Sequence, residues 1–341
     1  MKSTLVAHLC CLRCRGGLRL RDTDLLTTES AAGTEVMEGV LECTRCGATY
    51  AIAEGIPRLR EAASPDATRP RTAASFGYLW AKSIPGAETY DVSTYHFAKM
   101  ETSLALDPPE GLILDAGCGD GIDLASHARR ENTEIIGVEL SDGGCRASYL
   151  RTRDLGRAHV VQADLCRLPF ADGTFDFVYS YGVLHHLGSP ERGLSEVVRV
   201  ARPGAQVVAY LYEDFSERNA LLRWSLRGAN TARALTTQLP NRVLYNLCRV
   251  ASPFVFALFT LPAVLGRHVT ILAPMADSLP FRHGTGPFSL VGDLYDRFSA
   301  PVELRYSRQG SKALFSSAGL DRVKVAFERG WMVSGTKPDL T

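Results

Sequence analysis

Gly117, Gly119 and Gly121 alternate two residues behind Asp115, inside the stretch Leu112 to Ala125, where a run of strand-forming residues breaks and resumes as a helix. A glycine turn between a strand and a helix lets backbone N–H groups approach a ligand with no Cβ in the way. The spacing excludes a dinucleotide fingerprint, which keeps two residues between its last two glycines to seat a pyrophosphate. Two more acids complete the set. Glu139 ends the hydrophobic run Ile135 to Val138, where a carboxylate can accept both hydroxyls of a ribose, and Asp164 ends Val160 to Ala163, where it can accept an adenine amino group. Singly, each acid reads as a solvated strand end or a helix cap. In register they describe a nucleoside site.

A second group of residues suits metal chemistry. Cys11-Leu12-Arg13-Cys14 and Cys43-Thr44-Arg45-Cys46 are two Cys-x-x-Cys knuckles on one short segment. Two such turns give a tetrahedral four-thiolate Zn²⁺ site, which leaves no open position for substrate, so the metal is expected to be structural. Cys10 reads as a packing residue. Paired cysteines also suit redox catalysis, but the thioredoxin-like strand and helix that this chemistry needs are missing.

The elements that must position these groups follow in order. After the strand at Leu112 and those at Ile135 and Val160 come Phe175 to Ser180, an amphipathic helix over Leu194 to Arg202 stopped by Pro203-Gly204, and a strand over Ala205 to Leu211. With the glycine turn, this succession resembles the class I S-adenosylmethionine (SAM) methyltransferases of the small-molecule type. The resemblance implies an α/β fold: a seven-stranded Rossmann-like sheet with helices on both faces. It also implies that Gly117, Gly119 and Gly121 approach the methionine part of SAM, with Asp115 near its amino group. Glu139 would hold the ribose, Asp164 and the Leu165 backbone the adenine, and Ser180 would join the cofactor set.

The cysteine segment, with Gly16-Gly17-Leu18 after the first knuckle and Gly55-Ile56-Pro57-Arg58-Leu59 after the second, resembles the Trm112-like zinc ribbon. The expected organisation is a ribbon over residues 1–60, with a hairpin or loop between Leu18 and Leu41. A linker over 61–75 and a methyltransferase domain over 76–341 follow. Arg60 to Ala74 lacks apolar periodicity, and the aromatics of Phe76 to Trp80 either cover the cofactor or pack a helix on the sheet. A mostly helical insertion over 213–308 precedes a last helix, Ser311 to Ala318, and strands at Val323 and Trp331. The insertion is expected to cap the substrate. Within it, Ser216 to Ala234 reads as an amphipathic basic helix. Val250 to Leu265 is apolar, interrupted by Pro253 and Pro262, and reads as a buried cap helix or pocket wall rather than a transmembrane segment, with peripheral membrane contact as the alternative.

A net charge of +1 over 341 residues argues against a partner held by nucleic-acid phosphates. Nine cysteines, and a start cut short by Cys10, Cys11 and Arg13, place the expected compartment in the cytoplasm. Methyl transfer asks the protein to align acceptor and methyl carbon and, for O or C acceptors, to remove a proton. His185 is the expected base because imidazole titrates near neutrality, with His186 and Tyr181 as alternatives. His96 and His127 read as ordinary surface or packing residues. The expected acceptor is a small, lipophilic molecule. Alternatives are an rRNA or tRNA base and, from another class, a scaffold for a partner methyltransferase. The sequence sets no oligomeric state.

Overall fold

The computed structural model describes residues 1–21, 25–30, 33–60, 68–82, 96–267, 281 and 284–339. They fall into two units, residues 1–217 with 302–341, and residues 218–301.

Among the described residues, the first unit is built on one sheet of twelve strands. Its N-terminal part carries β1 (Leu18–Leu20), β2 (Leu26–Ser30), β3 (Gly33–Cys43), β4 (Thr49–Ala53) and β5 (Ile56–Leu59). β2 and β3 pair as the hairpin expected between Leu18 and Leu41. Two helices follow, α1 (Arg69–Trp80) and α2 (His96–Leu104). The linker expected over 61–75 lies outside the described residues as far as 67, and α1 takes up the remainder. Pro70 sits in the first turn of α1, where its missing N–H leaves no hydrogen bond unmade.

The expected seven-stranded sheet then follows: β6 (Gly111–Ala116), β7 (Thr133–Glu139), β8 (Ala158–Ala163), β9 (Phe175–Tyr181), β10 (Ala201–Leu211), β11 (Asp321–Phe327) and β12 (Trp331–Thr336). Its order is β8-β7-β6-β9-β10-β12-β11, with β6 to β10 parallel and β12 antiparallel to both its neighbours. The middle strands read as unbroken apolar runs because both faces are covered: Ile113, Leu114, Ile135, Ile136 and Val161 are all fully buried. The helices between strands are α3 (Ile122–His127), α4 (Asp142–Thr152) and α5 (Pro190–Val200). α5 ends two residues before the expected stop, since β10 starts at Ala201 and carries Pro203-Gly204 in an irregular stretch between Ala201 and Gln206.

The ribbon is part of this sheet. β5 pairs in parallel with the edge strand β8, through Arg58 opposite Gln162 and Leu59 opposite Ala163. Arg58 Nη1 donates to Gln162 Oε1 at 3.0 Å, Lys2 Nζ to the Ala158 carbonyl at 3.0 Å, and Arg167 Nη2 to the Leu12 carbonyl at 2.6 Å. Leu5, Leu41 and Ile52 of the ribbon belong to the same apolar core as Leu114, Val138 and Val161. The segment therefore gains its stability from a shared core as well as from its cysteines.

The second unit is helical: α6 (Ala220–Thr236), α7 (Asn241–Val255), a π-helical turn (Phe256–Thr260), α8 (Leu261–Arg267) and α9 (Val291–Ser299). Asn219 caps α6 by accepting from Leu222 N at 3.0 Å. Pro253 does not break the rod, which widens into the π turn just after it. The apolar run Val250 to Leu265 is not the buried helix expected of it: Val250, Phe254 and Leu258 are 66–68% exposed. Back in the first unit, α10 (Arg308–Ser317) starts behind Ser307, whose Oγ accepts from Gly310 N at 3.0 Å, and leads into β11.

Candidate functional site

β6 delivers the glycine turn to the end of the parallel sheet, the place where such sheets bind ligands. All three glycines have positive φ: +109° at Gly117, +53° at Gly119 and +79° at Gly121. A Cβ on Gly117 would stand 2.2 Å from Val183 Cγ2, and one on Gly121 would stand 2.7 Å from Ser148 Cα. The first glycine thus lets the turn pass the segment after β9, and the third seats α3 against α4.

Gly117 and Gly119 share one cleft with Glu139, Asp164 and Leu165. Glu139 is tied to the turn: its Oε2 accepts from Gly119 N at 3.2 Å and its Oε1 from Ser141 N at 2.7 Å. Burial pushes its carboxyl above the usual range, against those hydrogen bonds. Asp164 accepts from Cys166 N at 2.8 Å through Oδ1 and pairs with the Arg69 guanidinium through Oδ2. Each carboxylate keeps unused lone pairs for a ligand.

Asp115, Gly121 and Ser180 are not on the cleft wall. Asp115 lies buried beneath the turn, its Oδ2 accepting from Tyr179 Oη at 2.9 Å, and burial together with the nearby Asp123 pushes its carboxyl well up. Ser180 donates to the Ala116 carbonyl at 2.8 Å, which fixes the turn from below. Asp115 and Ser180 lie beneath the turn and hold it in place.

One wall comes from α1. Thr72, Phe76 and Trp80 follow each other at four-residue intervals, share one helix face, and all line the cleft. Trp80 stands against Gly119, where an added Cβ would meet its ring at 3.1 Å. Among the two uses open to the aromatics of Phe76 to Trp80, the structure puts Phe76 and Trp80 at the cleft.

Tyr181 and His186 line the same cleft; His185 does not. In the 3-10 turn Leu184–His186 the adjacent imidazoles stay in contact, with ring centroids 4.3 Å apart and planes tilted by 54°. His185 is fully buried with its ring 3.9 Å from that of Tyr212, and burial drives its pKa well below the ordinary value. It stays neutral in the core, away from the cleft that its neighbour lines. His186 Nδ1 lies 2.7 Å from the Val302 carbonyl. A carbonyl oxygen only accepts, so Nδ1 carries the proton and Nε2 is left as the basic nitrogen.

Two contributors were not expected from the sequence. Thr72 fell within the expected linker. His96 stacks on Tyr181 at 4.4 Å, with its Nδ1 3.2 Å from the buried Asp123. Asp123 lies in the glycine stretch and is the one signal that pointed there, but its partner sits in α2, on the other side of β6 in the chain.

The cysteines meet at a separate point. The Sγ atoms of Cys11, Cys14, Cys43 and Cys46 lie within 4.8 Å of one another, with Cys11–Cys46 at 3.6 Å and Cys14–Cys43 at 3.4 Å. Tetrahedral Zn²⁺ with bonds of about 2.3 Å needs sulfur separations of about 3.8 Å, so the set fits zinc. The knuckles present backbone N–H groups to sulfur, Arg13 N to Cys11 and Arg45 N to Cys43, both at 3.4 Å, which favours thiolates. Cys10 is buried outside the cluster.

Comparison with known proteins matches both segments of the chain to known families. The family model described as "Methyltransferase domain" matches residues 114–209, and that described as "Trm112p-like protein" matches residues 2–55. An O-methyltransferase of Pyrenophora dematioidea is 30% identical over 182 residues, covering 49% of this chain and 67% of that protein. O-methyltransferase cnsE of Penicillium expansum is 33% identical over 112 residues, 32% of this chain and 41% of the relative. 24-Methylenesterol C-methyltransferase 3 of Arabidopsis thaliana is 29% identical over 130 residues, 37% and 36% of the two chains. The chain spans 36% to 41% of the length of the first curated relatives it matches. It belongs to the SAM-dependent methyltransferases, and carries a Trm112p-like segment at its N-terminal end.

Proposed function

We propose that this protein transfers a methyl group from SAM to a small, lipophilic acceptor, and that His186 takes up the proton when the acceptor atom carries one. The observation behind this reading is the single cleft shared by Gly117, Gly119, Glu139 and Asp164 with Tyr181 and His186. The bound cofactor supplies a methyl group already activated on a sulfonium, so little covalent chemistry falls to the protein. Glu139 and Asp164 offer carboxylates to ribose and adenine, and the turn offers backbone N–H groups. Phe76, Trp80, Val183 and Leu187 give the cleft apolar walls that exclude water. His186 Nε2, its tautomer fixed by Val302, accepts the proton.

A lipophilic acceptor is supported by those walls and by relatives named for O-methylation and for sterol C-methylation. A panel of polar and apolar acceptors with radiolabelled SAM tests the reading. Preferential labelling of apolar hydroxyl or carbon acceptors is expected; equal turnover of both classes contradicts it.

A further inference from the structure

One helical rod of the unit 218–301 carries a continuous apolar stripe on its exposed side. Along Asn241–Gly266, a helical rod of 26 residues, Val243, Leu247 and Val250 are exposed, and Phe254, Leu258, Leu261 and Leu265 continue the same stripe at intervals of three and four. Apart from Leu244 near the start of the rod, the large side chains turned inward are few, and the buried positions are small or polar: Cys248, Ser252, Thr260 and Ala263. Ser252 Oγ donates to the Pro287 carbonyl at 2.7 Å and Thr260 Oγ1 to the Phe281 carbonyl at 2.6 Å, so the inward face is pinned by hydrogen bonds. A helix facing water places its large apolar side chains the other way round.

Charge identifies what covers the stripe. From Arg218 to Arg267 the chain has seven arginines and no lysine, aspartate or glutamate, although the whole chain is near neutral. Arg242 and Arg249 sit on one flank of the stripe, and Arg223 and Arg227 are exposed on α6 beside the 66%-exposed Trp224, with the Arg227 guanidinium 5.2 Å from its ring. Arginines alone suit any polyphosphate, but a continuous leucine and phenylalanine stripe suits acyl chains. Two copies of this face would bring like charges together.

We infer that this unit docks on an anionic lipid bilayer, with the stripe in the acyl boundary and the arginines on lipid phosphates. The rod lies along the surface. By length and composition the full rod could cross a membrane, but its stripe is one-sided and its opposite face is pinned by the Ser252 and Thr260 hydrogen bonds. Its arginine-free part, Val250 to Leu265, reaches only about 24 Å at 1.5 Å per residue against the roughly 30 Å of a hydrocarbon core. The inference extends the lipophilic-acceptor reading without depending on it, because docking is measured without turnover.

The test is flotation of the full chain with vesicles of phosphatidylcholine alone, or with about 30% phosphatidylglycerol added. Recovery with the anionic vesicles is expected to exceed that with neutral ones by at least about tenfold, and carbonate should release the bound protein. The triple variant Leu247→Glu, Phe254→Glu, Leu258→Glu should lose at least about tenfold in recovery, while its circular dichroism and S-adenosylhomocysteine binding stay unchanged. Arg223→Glu with Arg227→Glu should remove the preference for anionic lipid. The inference is overturned if the wild type stays in the lipid-free fraction or if the triple variant floats as well as the wild type. Carbonate-resistant insertion, or RNA binding or dimer formation through this face in place of vesicle binding, would overturn it as well.

Discussion

His186 donates its Nδ1–H to the Val302 carbonyl at 2.7 Å while its neighbour His185 packs its ring on Tyr212 at 3.9 Å. Two adjacent residues of one type therefore have opposite assignments. One is held at the cleft in a defined tautomer, and the other is a neutral core side chain.

Replacing His186 with Gln should lower kcat about a hundredfold for an acceptor that must lose a proton, the usual contribution of a positioned base. Affinity for S-adenosylhomocysteine should change less than about twofold, since the imidazole acts on the acceptor. Steady-state kinetics beside calorimetry separates the two. An unchanged kcat would move the base to Tyr181 or to His96.

His185→Ala should act on folding. Removing a fully buried ring leaves a cavity and costs about 2–4 kcal/mol of stability, read from urea unfolding. The folded fraction should retain kcat within about threefold of the wild type. A large kcat loss in fully folded protein would restore His185 to the chemistry.

These two histidines also show where sequence reasoning stops. The placement of the glycine turn and of the strand ends bearing Glu139 and Asp164 was legible because it is set locally: a turn needs glycines at set spacing, and an acid one residue past an apolar run lands at the strand end. The cysteine knuckles were legible for the same reason. What failed was long-range or two-sided. Nothing near Arg58 announces that β5 will pair with β8 a hundred residues later. The four-residue rhythm of Thr72, Phe76 and Trp80 is too short to mark a wall. Periodicity in Val250 to Leu265 defines a stripe but not whether it faces in or out. Neighbouring histidines in a tight turn divide according to packing from residues 302 to 304, which the local sequence does not contain.

Stability should depend on pH through His127. Burial pushes its pKa from the ordinary 6.5 down to about 3, its ring lies 4.4 Å from that of Phe97, and neither ring nitrogen has a hydrogen-bond partner among the described residues. The unfolded chain takes up this proton and the folded chain refuses it. Its contribution is complete above pH 6.5 and is lost as pH falls toward 3, at up to about 1.4 kcal/mol per pH unit. Unfolding measured between pH 6.5 and about 5, above most carboxylate titration, should show a slope smaller by about that amount in His127→Phe. An identical slope in the variant would contradict the assignment.

Zinc removal should destabilise both ends of the sheet's β8 edge. A thiol reagent should release one zinc per chain, and stripping it should lower Tm by about 10 °C or more, given how much folding energy such sites supply. Because Leu59 of the ribbon pairs with Ala163, next to Asp164, cofactor affinity should fall as well. Metal-free protein with unchanged Tm and affinity would show that the ribbon does not brace the site.

The central claim is that the glycine turn, Glu139 and Asp164 hold one methyl-donor nucleoside. Isothermal calorimetry with S-adenosylhomocysteine tests it most directly. The account predicts one site per chain, with affinity lowered about tenfold to a hundredfold by Glu139→Ala, the loss expected when a charged hydrogen-bond acceptor is removed. No binding to the wild type, or equal binding by Glu139→Ala, would contradict it.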